Sequence, residues 1–175
     1  MYWYVLFTKT GREKKVEQFL KKSLDKDLYV PFIPVQETLF KISGQVKKEI
    51  KPLFPSYVFI ESEISGLEFV KRTSSLFFTS NDIIMLLKYD NTMNEIAMRE
   101  EEKNLLSSLY NDHYCIEASS GIIVGNTVYI NEGPLKGRES LVKKIDRHKR
   151  NAIIEMYFMS SIRQLSVPLE IVSKM

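Results

Sequence analysis

The sequence predicts an α+β protein: an N-terminal α/β sandwich built on a single, mainly antiparallel sheet flanked by helices, then a small five-stranded β-barrel. Two aromatic and β-branched runs, "YWYVLFT" at 2–8 and "LFPSYVFIES" at 53–62, read as buried strands. Between and after them lie segments of helical period with start signals. Beyond Tyr110 the helical period vanishes, and only short strand-like runs remain, about ten residues apart with turn residues between them.

Taken in order, Thr10 and Glu13 of "TGRE" have capping-box spacing behind the first strand. The helix that follows places Val16, Phe19, Leu20 and Leu24 on one stripe. "YVPFIPV" (29–35) is extended, because Pro31 and Pro34 each remove a backbone donor. "TLFKI" and "QVKKEIK" flank Ser43-Gly44 as a hairpin whose arms carry Lys41, Lys47, Lys48 and Lys51. A second capping box, Ser65 to Glu68, opens a short helix through Val70, and "SLFFTS" (75–80) reads as another strand. Residues 81–96 favour no element. From about Met98 to Tyr110 an acidic start leads into Leu105, Leu106 and Leu109, a helix with its negative charge at the N-terminal end. Residues 111–120, "NDHYCIEASS", are polar and without period, hence a short linker. Residues 121–175 supply the barrel through "NTVYI", "ESLVKKI", "NAIIEMYF", "SIRQLSVP" and "LEIVS".

Charge is divided unevenly. Residues 1–110 hold 16 Lys/Arg against 15 Asp/Glu, whereas 121–175 hold 9 against 5. Seven of those nine lie between Lys136 and Arg150: Lys136, Arg138, Lys143, Lys144, Arg147, Lys149 and Arg150, with His148 among them. Gly133, Pro134 and Gly137 make the turn in front. Strand alternation would put Leu141, Lys143 and Ile145 on one face and Val142 and Lys144 on the other. Such a patch suits phosphate contacts, with His148 for stacking or a base edge; a solvated basic loop is the plain alternative.

Some classes of function find no support. The one cysteine, Cys115, cannot form an internal disulfide and fits a reducing compartment. Two histidines and one thiol assemble no familiar zinc site, so neither metal nor cofactor is expected. No glycine-rich phosphate loop or nucleophile elbow is present, and no catalytic residues are assigned. No apolar run approaches a membrane span, and a cytoplasmic monomer is expected.

"WYVLFTKTGREKKVEQFL" followed by "LFPSYVFIE" resembles the N-terminal (NGN) domain of the NusG family of transcription elongation factors, in which a Trp-Tyr strand, a Gly-x-Glu helix start and a Phe-Pro-Gly-Tyr strand recur in this order. "GNTVYINEGPLKGRESLVKKID" is similar to the family's KOW motif, which sits in an SH3-like barrel. The resemblance implies an NGN-like domain over 1–110, a linker over 111–120 and a KOW-type barrel over 121–175. It implies docking on the clamp helices of the RNA polymerase β′ subunit through Trp3, Phe54 and Tyr57. Tyr4, Pro55 and, by strand face, Phe7 and Phe59 extend that surface; hydrophobic core is the alternative for each ring. Bound there, the chain would favour the closed, elongating clamp.

Two positions depart from the family pattern. Ser56 stands where Gly is usual, which an extended backbone would accommodate, and Glu139-Ser140 replace a second turn glycine. With the basic KOW loop, these departures look like a specialised antiterminator of the RfaH or LoaP kind, whose barrel contacts nucleic acid, expected to be a hairpin in the nascent RNA. The rivals are a general elongation factor whose barrel binds Rho or a ribosomal protein, and a free RNA-binding protein of KOW type. The hairpin lysines would face upstream DNA or the other polymerase subunit, or simply solvent.

Overall fold

The computed structural model describes residues 1–89 and 95–175. In chain order the elements are β1 (Tyr2–Thr8), α1 (Glu13–Ser23), β2 (Tyr29–Phe32), β3 (Val35–Ile42), β4 (Gln45–Pro52), β5 (Tyr57–Ser62), α2 (Gly66–Phe78), β6 (Ile83–Leu86), α3 (Glu100–Leu109), β7 (Cys115–Ile116), β8 (Ser119–Val124), β9 (Thr127–Glu132), a 3-10 turn (Glu139–Leu141), β10 (Val142–Asp146), β11 (Asn151–Phe158) and β12 (Ser161–Lys174). The chain is α+β, as its sequence predicts, and divides into two compact units: Met1–Pro34 with Phe54–Lys103, and Val35–Leu53 with Asn104–Met175. The hairpin that precedes residue 54 thus groups with the C-terminal strands.

The first unit is an antiparallel sheet in the order β2-β5-β1-β6. Its two faces differ because β1 and β5 are apolar on both sides. Tyr4, Leu6, Val58 and Ile60 point to one side and form a buried core with Val16 and Leu20 of α1 and Phe69 and Phe77 of α2. Tyr4 stacks on Phe69 with ring centroids 3.6 Å apart and donates its hydroxyl to the Ile64 carbonyl. Burial there pushes its pKa up to about 12. Trp3, Val5 and Phe7, with Tyr57, Phe59 and Glu61 opposite them in register, occupy the other face.

Both helix starts differ from the sequence expectation. Neither Thr10 nor Ser65 caps a helix with its side chain; α1 is capped at Arg12, and Ser65 uses only its carbonyl, accepting from Phe69 N–H. Glu68 turns sideways instead to Arg72, one turn along. The expected strand at 75–80 is helix. Phe69, Thr73 and Phe77 recur every four residues on the buried side of α2, and the Thr73 hydroxyl is satisfied by the Phe69 carbonyl, so the helix runs on to Phe78. Within 81–96, β6 pairs with β1; the rest of that stretch includes residues outside the described ones.

In the second unit, β3 and β4 form the expected hairpin around Ser43 and Gly44, both at positive φ (51° and 84°), the two-residue type I′ arrangement. The presumed linker is partly structured: β7 pairs parallel with β3, and Cys115, Ile116 and Ser119 are buried. Five strands do make one sheet, in the order β10-β11-β12-β8-β9, antiparallel except for the β12–β8 pair. Its membership differs from that read in the sequence. "SSGIIV" is a strand, and "SIRQLSVP" and "LEIVS" are one continuous strand, β12, because Pro168 still pairs with Asn151. A bulge between Val142 and Lys144 interrupts alternation in β10, leaving both Lys143 and Lys144 exposed.

Gly133, after β9, has φ of +92°, and a Cβ there would lie 2.5 Å from Ser119 Cα and 2.8 Å from the Ala118 carbonyl oxygen. Gly137, at φ +73°, has nothing within 4 Å of that point. Replacement of Gly133 by Ala is therefore expected to destabilise the protein by more than about 2 kcal/mol, and of Gly137 by Ala by only about 1 kcal/mol. Urea unfolding of the two variants checks the difference.

Candidate functional site

The first candidate site begins at a turn. Phe54, Pro55, Ser56 and Tyr57 form a four-residue reversal in which Tyr57 N–H donates to the Phe54 carbonyl at 3.2 Å. Proline stands second and Ser56, at φ +74°, third, which is a type II turn. The extended backbone expected at Ser56 is thus not found. This turn needs the left-handed conformation, for which glycine is the ordinary choice.

Serine is held there by an extensive set of bonds. Its N–H donates to Glu13 Oε1 at 2.6 Å. Its carbonyl accepts from Thr8 N–H at 2.8 Å and from the Thr8 hydroxyl at 3.2 Å. Its own hydroxyl shares a hydrogen bond with Thr10 Oγ1 at 2.8 Å. Ser56 and Glu13 are both buried. Thr10 and Glu13, which in sequence look like a helix cap, serve this turn instead.

From the turn the rings spread over the sheet face opposite α1 and α2. Phe54 stacks on Phe59 at 5.8 Å, Trp3 meets Phe59 and Phe32 edge-on at 6.1 and 5.2 Å, and Phe7 lies 5.4 Å from Tyr57. The Trp3 indole N–H donates to Glu61 at 2.7 Å. This face is less open than the sequence suggests. Trp3, Phe54 and Phe59 are 3%, 5% and 0% exposed, Phe7 and Tyr57 are half-buried, and Pro55 is exposed. Tyr4 is separate from the group, in the helix-covered core. Phe32 and Glu61 were not singled out from sequence. Their signal was alternation: Phe32 falls opposite Phe59 and Glu61 opposite Trp3.

The basic residues are the second candidate site. Lys136 is exposed, and Arg138 is half-buried with its guanidinium on the Pro134 carbonyl at 3.0 Å. Lys143 and Lys144 are exposed on β10. Arg147, His148 and Lys149 form the β10–β11 turn, where Asp146 accepts Lys149 N–H at 3.0 Å. That backbone bond and the nearby cations hold the Asp146 carboxyl below its usual range. Arg147, His148 and Arg150 share a polar cleft of about 510 Å³ with Asp146 and Glu170, and Arg150 Nε lies 3.4 Å from Glu170. Lys136, Arg138, Lys143 and Lys144 are not among the residues lining it. On the hairpin, Lys41 and Lys48 share one face and Lys47 and Lys51 the other, with Lys48 bound to Glu37 at 3.0 Å. Among the described residues no cluster of three or more His, Cys, Asp or Glu is placed to hold a metal, and no helix is long and apolar enough to cross a membrane.

A family model described as transcription termination factor NusG matches residues 1–107, more than half of the chain. The chain belongs to the NusG family. It is a transcription termination/antitermination factor at that level of description. It is 25% identical over 181 residues to the transcription termination/antitermination protein NusG of Rickettsia typhi (strain ATCC VR-144 / Wilmington), covering 97% of this chain and 85% of the relative. A solved structure described as domain interaction in Thermotoga maritima NusG is similar in fold, with a TM-score of 0.54 and 18% identity over 95% of this chain and 93% of that one. The Phe-Pro-Gly-Tyr strand by which the sequence resembles this family is the segment that forms the type II turn, with Ser56 in place of Gly.

The turn yields a stability prediction. Glu13→Ala strands the buried Ser56 N–H and is expected to cost about 1–3 kcal/mol, whereas Glu13→Gln keeps an acceptor and costs less. Ser56→Gly relieves about 1 kcal/mol of backbone strain but loses a hydroxyl bond of similar worth, so its stability should stay within about 1 kcal/mol of the parent. Chemical denaturation of the three variants measures this.

Proposed function

We propose that this chain is a specialised antiterminator that binds the clamp helices of the RNA polymerase β′ subunit through the ring face and contacts nascent RNA with its basic C-terminal strands. The observation that carries the first half is the type II turn, which presents exposed Pro55 and half-buried Tyr57 and Phe7 at the rim of a floor made by Trp3, Phe54 and Phe59. Such a surface suits the apolar stripe of a helix, since rigid rings add contact area at little entropic cost. Tyr4 supports the floor from the core side. The polymerase-contacting part lies within residues 1–110 and the RNA-contacting part within 121–175, joined through 111–120, in a monomer acting in the cytoplasm.

Binding of this kind promotes processivity without chemistry. A factor that binds the closed clamp better than the open one by about 1.4 kcal/mol shifts the balance roughly tenfold. Lys41 and Lys47 of the hairpin are exposed and suited to upstream DNA, and Lys48 less so because Glu37 already engages it. For the basic region, Lys143 and Lys144 on their bulge, with the Arg147–Arg150 turn and Lys136 and Arg138, supply the phosphate contacts. His148 is exposed for stacking.

A second reading has its own support. Tyr157 and Ile162 face each other across β11 and β12 and are 65% and 61% exposed, an apolar strip suited to a protein such as Rho or a ribosomal subunit protein. Retention of partners by the full chain, with and without nuclease, separates the two: RNA-dependent retention supports the antiterminator, and nuclease-resistant capture of Rho or a ribosomal protein supports the general factor.

Two outcomes are expected. Tyr57→Ala should weaken polymerase binding at least tenfold, read by co-purification and by terminator read-through. RNA affinity should fall steeply from low to moderate salt, and Lys144→Ala or Arg147→Ala should lower the slope of log affinity against log salt by about one each. A flat salt response would count against phosphate contacts.

A further inference from the structure

Beside the basic turn, within the second unit, lies a smaller cleft of about 80 Å³ between the start of β3 and the start of β11. Gln36, Asn151, Lys149, Arg150, Ser166 and Pro168 contribute to its lining. Two of these lining residues carry buried side-chain oxygens, Gln36 Oε1 and Asn151 Oδ1, that have no hydrogen-bond partner among the described residues. A buried acceptor without a donor costs about 1–3 kcal/mol, so two of them in one cleft mark a place for something that donates.

We propose that this cleft receives the amino edge of an unpaired RNA base, with the nucleotide's phosphate on Lys149. The inference rests on the nucleic-acid reading above and adds which bases it favours. Electrostatics selects the ligand. A metal ion, or a lysine or arginine from a protein partner, would satisfy the two acceptors but would sit beside the cations of Lys149 and Arg150. A neutral donor with negative charge nearby suits both the acceptors and the cations, which describes an amino-bearing nucleotide. The one carboxylate in the lining, Glu37, is already committed to Lys48 and to the Ala118 N–H at 2.6 Å, so it does not compete for the base. Lys149 makes no ion pair among the described residues, while Arg150 is tied to Glu170.

Size agrees with an edge rather than a whole base. The space equals that of roughly two or three waters, enough for an exocyclic amine and its neighbouring ring atoms. Buried Pro168 offers an apolar wall. Cytosine and adenine bring two amino hydrogens for two acceptors, whereas uracil has a single N–H on its pairing edge.

The test uses the full chain and labelled single-stranded RNA 12-mers of cytidine and of uridine, equal in charge and similar in ring size. Cytidine RNA is expected to bind about tenfold more tightly at each salt concentration, with the same salt slope for both. In the doubly substituted Q36M/N151L chain that preference should disappear and the salt slope remain. Equal affinity for the two RNAs in the parent chain would mean that water satisfies the amides and would overturn the inference while leaving the phosphate contacts standing. A preference that survives in the folded double variant also overturns it. Failure to bind either RNA removes the nucleic-acid reading and the inference together. The comparison in the parent chain needs no variant, so poor folding of Q36M/N151L would not shield the inference.

Discussion

One residue, Ser56, ties together α1, β1 and the loop between them beneath the ring face. Its N–H ends on α1 through Glu13, its carbonyl on β1 through Thr8, and its hydroxyl on the loop between them through Thr10. A non-glycine residue in the left-handed region costs about 1–2 kcal/mol. Several hydrogen bonds at about 1 kcal/mol each, one of them to a carboxylate, offset that cost. The turn therefore keeps its shape without glycine, and the shape decides that Phe54 lies down on Phe59 while Tyr57 lies beside Phe7.

The same central strands serve two different ends. On the helix side Tyr4, Leu6, Val58 and Ile60 close a core that no partner needs to enter. On the other side the rings pack edge-on and stacked, an arrangement held by π-system geometry as well as by burial. Such a floor is rigid by itself, so the proposed docking would cost little conformational entropy there. The C-terminal strands are arranged on another principle. Their cations stand on a bulge and a tight turn, both of which push side chains outward.

The legible parts of the fold were those with long, consistent periodicity. Both ring-bearing strands, α1, α3 and the Ser43-Gly44 hairpin could be read because pattern and turn chemistry agree there. Residues 75–80 misled because a short aromatic run between serines looks the same in a strand and in a helix, and the deciding fact, that Phe77 continues the Phe69–Thr73 stripe, is tertiary. Capping-box spacing at Thr10 and Glu13 misled because the carboxylate found a better donor 43 residues away. At β10 the bulge between Val142 and Lys144 could not be placed from sequence, since "LVKKI" pairs apolar with apolar and polar with polar residues and so fixes neither face nor register. The ring positions of the candidate site were legible as residues, but their degree of burial, and the parts played by Phe32 and Glu61, depend on register across strands.

The chain has a single tryptophan, and the fold puts it in the ring floor with its indole N–H on Glu61 and two phenylalanines against its edges. Intrinsic fluorescence is accordingly a site-specific signal in this molecule. Emission from Trp3 reports events that wet or distort the packing of that face. The protein thus carries a built-in optical gauge of that one face.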